Sequence, residues 1–219
     1  MNDGIILVDK PAEMTSFGVV ARIRRVLNMR AGKKVKVGHT GTLDPFATGL
    51  MILVVGKECK NADTYTKLDK VYEATFRLGQ RSTTGDPEGE VTTVSSRIPP
   101  HEEVEHTLQK FIGNVTQRPP IFSAIKIDGQ RAYKLARDGK EVKIPERVIS
   151  IYSIDLISYD YPELKIRTHV SSGTYIRSLA EDIGNSLGVG AYCTQLRRTE
   201  ISQWKVADAK KLEDFGISN

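Results

Sequence analysis

A single carboxylate, Asp44, lies in a short stretch whose residue types suit a chemical site. The stretch reads GHTGTLDPFATG, from Gly38 to Gly49, and contains no second acid. Asp44-Pro45 favours a tight turn, because an aspartate side chain accepts hydrogen bonds from the backbone that follows and proline fixes its own φ. The apolar run LMILVV comes next and has the length of one buried strand. The residues predict either a site that places one carboxylate accurately or an ordinary turn, and both alternatives stay open.

A second stretch with chemical potential, SSGTYIRSLAEDIG, runs from Ser171 to Gly184. Its pattern predicts a strand end, a turn at Gly173 and then a helix, with Tyr175 and Arg177 near the helix N-terminus, where anions are favoured. Arg177 is a suitable partner for an isolated carboxylate, because a nearby guanidinium keeps an acid ionised. The alternative is that Arg177 is an ordinary surface charge.

Other kinds of site lack their sequence patterns. The loop at Gly38 has neither GxxxxGK[ST] nor GxGxxG spacing, no GxSxG motif is present, and the four histidines are scattered. We therefore expect no cofactor and no metal. Cys59 and Cys193 are far apart without a CxxC pattern, which argues against a disulfide or zinc site and favours the reducing cytoplasm. No apolar run approaches the ~20 residues that span a bilayer, so we expect no membrane segment.

The net charge of +5 is unevenly distributed. Residues 22–36 contain seven basic residues and no acid, and residues 118–147 contain eight basic residues against four acids. Such clusters are often only solvated faces of a protein. Two basic clusters, one before and one after Asp44 in the sequence, fit a polyanionic partner such as a nucleic acid. In such complexes the contacts to phosphates supply much of the affinity.

The elements that must position these residues are predicted from hydrophobic periodicity and turn signals. Apolar residues at helical spacing follow a cap at Thr15 or Ser16, and strict alternation from Val71 to Leu78 predicts a half-buried strand that carries Tyr72. The other predicted elements are strands at Ile5–Val8, Leu50–Val55, Ser150–Tyr159 and Leu164–Val170, and helices from Glu102 to Gly113 and from about Ile176 to Leu187. Strands and helices neither alternate strictly nor segregate, which favours one α+β domain.

Three motifs in this order, GHTGTLDPFATG, YEATFRLGQRSTTGDPEG and SSGTYIR, resemble those of the bacterial TruB family, the tRNA pseudouridine-55 synthases. The resemblance extends from IILVDKPAEMTS to YCTQLRRT, nearly the whole chain. It implies a pseudouridine synthase fold in a single domain over residues 1–219. That fold has a mixed, mostly antiparallel central sheet flanked by helices, an active-site cleft and an RNA-binding insertion at about residues 118–147. Typical members continue into a small C-terminal PUA domain, for which this sequence leaves no room.

The resemblance implies a cofactor-free isomerisation of uridine 55 in the T arm of tRNA to pseudouridine. Asp44 matches the family nucleophile, which attacks C1′ of the ribose or C6 of the base, or assists glycosidic cleavage; these routes stay open. Arg177 would pair with Asp44. Tyr72 matches the tyrosine that stacks on the target uracil, although its position in the strand equally allows a core residue.

Further roles follow from the same resemblance. His39 would occupy the space left by the flipped base, Tyr175 would line the floor of the site, and Leu196 would lie near the base. Lys10 would support the site structurally. The insertion would contact the T arm through Lys126, Arg131, Tyr133, Lys134 and Arg137. We expect a cytoplasmic monomer that needs tRNA and no protein partner.

Two other functions are compatible with the same fold. One is a non-catalytic RNA-binding or tRNA-refolding protein, which would have no need of Asp44, Tyr72 and Arg177 together. The other is a guide-directed rRNA pseudouridine synthase that works with partner proteins.

Overall fold

The computed structural model describes residues 3–123, 125–127, 129–132 and 144–217, with only the backbone of Lys126, Ile127 and Arg131. The candidate residues Tyr133, Lys134 and Arg137 lie outside the described residues. In chain order the strands and α-helices are β1 (Gly4–Lys10), α1 (Ser16–Ala31), β2 (Val37–His39), β3 (Thr48–Val55), α2 (Ala62–Thr66), β4 (Lys70–Leu78), β5 (Gln80–Ser82), β6 (Val91–Thr93), α3 (His101–Gln109), β7 (Gly113–Gln117), β8 (Lys126–Ile127), β9 (Gln130–Arg131), β10 (Arg147–Asp160), β11 (Glu163–Val170), α4 (Ile176–Ser186), β12 (Ala191–Ile201) and β13 (Trp204–Lys205).

The chain divides into two compact units, and β4 and β12 contribute residues to both. Unit 1 contains residues 1–72 and 197–219, and unit 2 contains residues 73–196. In unit 1, β1 and β2 both pair antiparallel with β3, and the last part of β12 runs parallel to it, with Arg197 opposite Thr48 and Arg198 opposite Gly49. The stretch from Gly38 to Gly49, which contains Asp44, therefore begins on β2 and ends on β3.

The centre of unit 1 is β3, in which every residue from Gly49 to Val55 is buried. Such a continuous apolar strand needs cover on both faces. Helix α1 has a buried stripe at helical spacing (Val19, Val20, Ile23, Leu27), while Leu50 and Ile52 belong to a cluster with Ile201 of β12. Helix α1 begins at Thr15, whose side chain accepts a hydrogen bond from Gly18 N, and ends at Gly32 with φ of 63°. The predicted capping of this helix at Thr15 is confirmed.

Unit 2 contains strands in the order β4-β11-β10-β7, with β10 antiparallel to both β11 and β7. The buried positions of β4 include Tyr72, Ala74, Phe76 and Leu78, as its alternation predicts. Helix α3 contacts β10 and α4, and α4 buries an apolar stripe (Ile176, Leu179, Ala180, Ile183). Antiparallel pairs, a parallel pair between β12 and β3, and packed helices confirm the predicted α+β class. Within the described ranges, no helix has the length and apolar character needed to cross a bilayer.

One predicted element has different bounds in the structure, and one long strand was missed. The helix expected from Glu102 to Gly113 ends at Gln109, and Ile112 is exposed. Strand β12 was not predicted, although it carries Leu196.

Lys70 at the start of β4 makes the stability of unit 1 depend on pH. Burial, reinforced by the positive charge of Arg198, lowers the pKa of Lys70 to about 8. An unfolded lysine titrates near 10.4, so between these values the unfolded chain binds more protons and stability rises with pH. Relative to Lys70→Met, the free energy of unfolding of the wild type is expected to rise by ~1–3 kcal/mol from pH 8 to 10.5.

Urea unfolding of both proteins at several pH values in this window measures the effect. Lys67→Met is the matched control, because Lys67 is an exposed lysine three positions away. A difference between wild type and Lys70→Met that stays constant with pH would contradict the buried ammonium.

Candidate active site

Asp44 lies in a loop, here called the Asp44 loop, that spans Gly38–Gly49. Asp44 is half-buried, and Ala47 N donates a hydrogen bond of 3.1 Å to the backbone oxygen of Asp44. This bond closes a tight turn around Pro45, so the predicted turn is confirmed. A turn held in this way limits where the Asp44 side chain can lie.

The residue before Asp44 is fixed by Ser16, the first residue of α1. Ser16 is buried, and its Oγ both donates to Leu43 O (2.9 Å) and accepts from Leu43 N (2.8 Å). One hydroxyl therefore satisfies both backbone groups of a buried residue, which otherwise would lack partners. The start of α1 thus positions the chain on one side of the acid.

The residue after Asp44 is fixed by Lys10, the last residue of β1. The side chain of Lys10 is fully buried, and its ammonium donates to Pro45 O (3.1 Å), Pro11 O (2.8 Å) and Met14 O (2.6 Å). Three carbonyl oxygens around a buried ammonium offset much of its loss of hydration. Lys10 therefore ties the end of β1 to the backbone that follows Asp44.

Arg198 in β12 links the first part of the Asp44 loop to the strand that follows the loop. It is 1% exposed, and it donates through Nε to Leu50 O (2.7 Å) and through Nη2 to Gly41 O (3.2 Å). Gly49 has φ of 107°, and a Cβ there would lie 2.3 Å from Arg198 O. A glycine is required at this position because the strands approach too closely for any side chain.

Two further predicted residues of unit 1 lie on strands, one of them at the start of this loop. His39 is half-buried in β2 opposite Leu53, and Tyr72 is 8% exposed in β4. Thr40 N and Oγ1 both donate to Ile52 O, which ties the first part of the loop to β3. In unit 1 the Asp44 loop therefore carries His39 and Asp44, and Lys10 contacts it from the end of β1.

In unit 2, Arg177 is a buried residue and not a surface charge. Its side chain is 3% exposed and forms an ion pair with Asp86, with Nη1 and Oδ2 3.0 Å apart. The guanidinium also donates to Thr84 O (2.8 Å) and Phe122 O (2.8 Å). These contacts orient the guanidinium at the start of α4.

Asp86 was not predicted as a site residue. Its Oδ1 accepts hydrogen bonds from Thr84 Oγ1 (2.5 Å) and from Glu88 N (3.0 Å), while Oδ2 faces Arg177. The sequence signal was present in the turn TTGDPEG, in which an Asp-Pro pair stands between glycines, as in the Asp44 loop. The buried Asp86 carboxylate of this turn therefore binds the Arg177 guanidinium directly.

Tyr175 is held by Gln117 at the end of β7. The side-chain amide of Gln117, 1% exposed, accepts from Tyr175 N (2.8 Å) and donates to Tyr175 O (3.0 Å). The Arg147 guanidinium lies over the tyrosine ring, 5.0 Å from its centroid. Leu196 is 8% exposed in β12. In unit 2 the predicted residues Tyr175 and Arg177 lie close together at the start of α4, while Lys126 and Arg131 lie on β8 and β9.

Comparison with known families decides the assignment of this chain. A model described as TruB family pseudouridylate synthase (N terminal domain) matches residues 24–176. A second, described as tRNA pseudouridylate synthase B C-terminal domain, matches residues 177–217. The chain belongs to the TruB family. The family assigned from the three motifs is confirmed, and Asp44, Tyr72 and Tyr175 all fall within the first match.

Similar proteins from two bacteria carry the name tRNA pseudouridine synthase B. The protein from Opitutus terrae is 45% identical over 213 residues, which cover 96% of this chain and 86% of that protein. The protein from Francisella tularensis subsp. novicida is 43% identical over 215 residues, covering 97% of this chain and 70% of that protein. The similarity therefore includes both units of this TruB-family chain.

Solved structures support the predicted pseudouridine synthase fold. The chain matches a Cbf5-Nop10-Gar1 complex with a TM-score of 0.74 and 30% identity, covering 96% of this chain and 53% of that one. It matches an H/ACA RNP bound to a substrate RNA with a TM-score of 0.71 and 27% identity. This TruB-family chain spans about half the length of those solved chains.

The Ser16 hydroxyl is expected to matter for turnover more than for stability. Ser16→Ala removes both hydrogen bonds to Leu43, and a small displacement of Asp44 should lower kcat by ~10–100-fold with little change in KM. Thr15→Ala is the matched control, because it removes the cap of the same helix at ~1 kcal/mol without touching the loop. Single-turnover kinetics and thermal unfolding of both variants give the comparison. Equal losses of kcat would show that helix stability, and not loop position, is responsible.

Proposed function

We propose that this TruB-family chain isomerises a uridine in the T arm of tRNA, uridine 55, to pseudouridine. The observation that carries the proposal is the fixed position of Asp44, whose two neighbours are held by buried side chains from separate elements. The naming of relatives that are 43–45% identical as tRNA pseudouridine synthase B supports the same substrate. Tight support around one carboxylate is what a nucleophile or base needs, because reactivity depends strongly on its position.

The proposed reaction is an isomerisation that needs no oxidant or reductant. The bond from ribose C1′ to uracil N1 breaks, the base turns, and a bond from C1′ to C5 forms. The hydrogen on C5 leaves to solvent, and N1 gains a proton. Asp44 takes part as a carboxylate, by attack on C1′ or C6 or by assisting cleavage and later removing the C5 proton.

The substrate must first be extruded from a folded RNA loop, which costs a few kcal/mol. In the proposal, stacking of the uracil on Tyr72 offsets part of this cost, at ~1–3 kcal/mol per base. His39 fills the space left by the base, and Tyr175, Arg177 and Leu196 keep the roles predicted for them. The proposal also includes contact of residues 118–147 with the T arm, a monomeric state and a cytoplasmic location.

Release of tritium tests this function directly. Unmodified tRNA labelled with [5-³H]uridine is mixed with the purified chain alone, because the reaction replaces the C5 hydrogen. We expect release from this tRNA and none from a transcript that carries cytidine at position 55. Release only after addition of a guide RNA and partner proteins would favour the guide-directed alternative. Binding without release would favour the non-catalytic alternative.

A further inference from the structure

The outward surface of α1 and the loop after it, here called the basic face, carries a concentration of exposed cations. Its exposed basic residues are Arg22, Arg25, Arg30, Lys33, Lys34 and Lys36. No acidic residue occurs between positions 22 and 36. Like charges at this density repel one another, and an anionic partner relieves that repulsion.

The positive charges of the basic face are not neutralised by carboxylates of unit 1. In the part of the chain that the structure describes, no ion pair joins any of the six to a carboxylate. Exposed ion pairs elsewhere, such as Arg118–Glu146, show that the protein does neutralise some surface charge. The six charges therefore remain available to nucleic-acid phosphates. Such phosphates release their bound counterions when cations of a protein take the place of those counterions.

A groove gives the basic face a defined shape. It has a volume of about 530 Å³ and is lined by Arg22, Arg25 and Arg30 together with apolar residues of α1 and the C-terminal segment (Val26, Met29, Phe215, Ile217). Met29 is 74% exposed, and Arg30 Nη2 lies 3.4 Å from Phe215 O. Arginines around an apolar floor match a nucleic-acid strand, which presents phosphates beside less polar sugars.

The length of α1 indicates which part of an RNA that runs along it could reach the far end of the basic face. Helix α1 starts at Ser16, which contacts the Asp44 loop, and Arg30 lies 14 residues later, ~21 Å along the axis. Base pairs of A-form RNA are spaced more closely than the ~3.4 Å of B-DNA, so this length corresponds to more than about six base pairs of RNA. An RNA whose stem runs along α1 from a uridine bound at Asp44 would therefore bring Arg30 opposite phosphates that lie beyond a short stem.

We propose that the basic face binds phosphates of tRNA outside the T arm, as a second contact surface in addition to the site around Asp44. This inference rests on the proposed function, since it takes tRNA as the substrate. It predicts that a whole tRNA binds more tightly than an isolated T-arm stem-loop, and that the difference depends on the basic face.

The test compares two variants of the basic face with a control of equal charge change. The variants are Arg22→Gln/Arg25→Gln/Arg30→Gln and Lys33→Gln/Lys34→Gln/Lys36→Gln; the second leaves the groove and the Arg30 hydrogen bond intact. The control is Lys57→Gln/Lys60→Gln/Lys67→Gln, three exposed lysines of the same unit. Filter binding of whole tRNA and of the stem-loop is measured over a series of salt concentrations, and thermal unfolding confirms folding.

Each basic-face variant is expected to raise the Kd for whole tRNA by about tenfold and to reduce the salt slope by about two to three, at ~0.9 per phosphate contact. The Kd for the stem-loop and both values for the control should change less than twofold. Loss of stem-loop binding by the same factor, or an equal effect of the control, would overturn the proposal. Tritium release from the stem-loop by the wild type checks the isomerase function separately, so the two can fail independently.

Discussion

Replacement of Asp44 by asparagine is expected to abolish pseudouridine formation while leaving tRNA binding intact. Asparagine keeps the size and the turn but is neither a nucleophile nor a base. Loss of such a group lowers kcat by about 10⁴-fold or more, which corresponds to at least ~5 kcal/mol in the barrier. The backbone bonds from Ser16, Lys10 and Ala47 do not involve the carboxylate, so the loop should stay in place.

Tritium release gives the rate, and filter binding of unmodified tRNA gives the affinity. Asp63→Asn is the matched control, because Asp63 is an exposed acid of the same unit and should behave as wild type in both assays. Residual turnover of Asp44→Asn within tenfold of wild type would eliminate Asp44 as the reacting carboxylate. Loss of binding together with turnover would indicate a structural role.

A large loss of both stability and activity is expected for Asp86→Asn. The substitution keeps Oδ1, which accepts from Thr84 and Glu88, but places an amide N–H group against the Arg177 guanidinium. Breaking a buried ion pair on one side leaves an uncompensated charge and costs about 3–5 kcal/mol. Because Arg177 loses its orientation, we also expect kcat to fall by about 10²-fold.

Urea unfolding and tritium release measure the two effects. Glu103→Gln is the control, because its ion pair with Arg97 is half-exposed in the same unit and is worth at most about 1 kcal/mol. If Asp86→Asn is no less stable than Glu103→Gln, the buried pair contributes nothing to the fold. If stability falls but kcat is unchanged, Asp86 acts on folding alone.

The elements that follow local rules could be predicted from the sequence. The cap at Thr15, the alternation in β4 and the turn at Asp44 each depend on residues a few positions apart. Strand β12 escaped prediction because Arg198, a fully buried arginine, occupies an inward position where the pattern requires an apolar residue. The guanidinium is tolerated at this buried position because the backbone carbonyls of Gly41 and Leu50 accept its hydrogen bonds.

The candidate site could be predicted only in part, because many of its contacts join residues that lie far apart in the sequence. Asp44 and Lys10 stand out by motif, but the contacts of Ser16, Asp86 and Gln117 join residues 27, 91 and 58 positions apart. No local pattern shows such pairs. From the sequence, Arg177 could be either the partner of a carboxylate or an ordinary surface charge. Only the three-dimensional structure shows that its side chain is buried.

Support of the Asp44 loop through its backbone has a consequence for sequence variation in this protein. The bonds from Ser16 and Lys10 end on main-chain atoms, which every amino acid possesses. Loop positions whose side chains face solvent, such as Thr42, are therefore free to vary without moving Asp44. The constraint falls instead on Ser16 and Lys10, outside the loop. Evolution can then adjust how the rim of the loop meets an RNA while the chemistry is inherited unchanged.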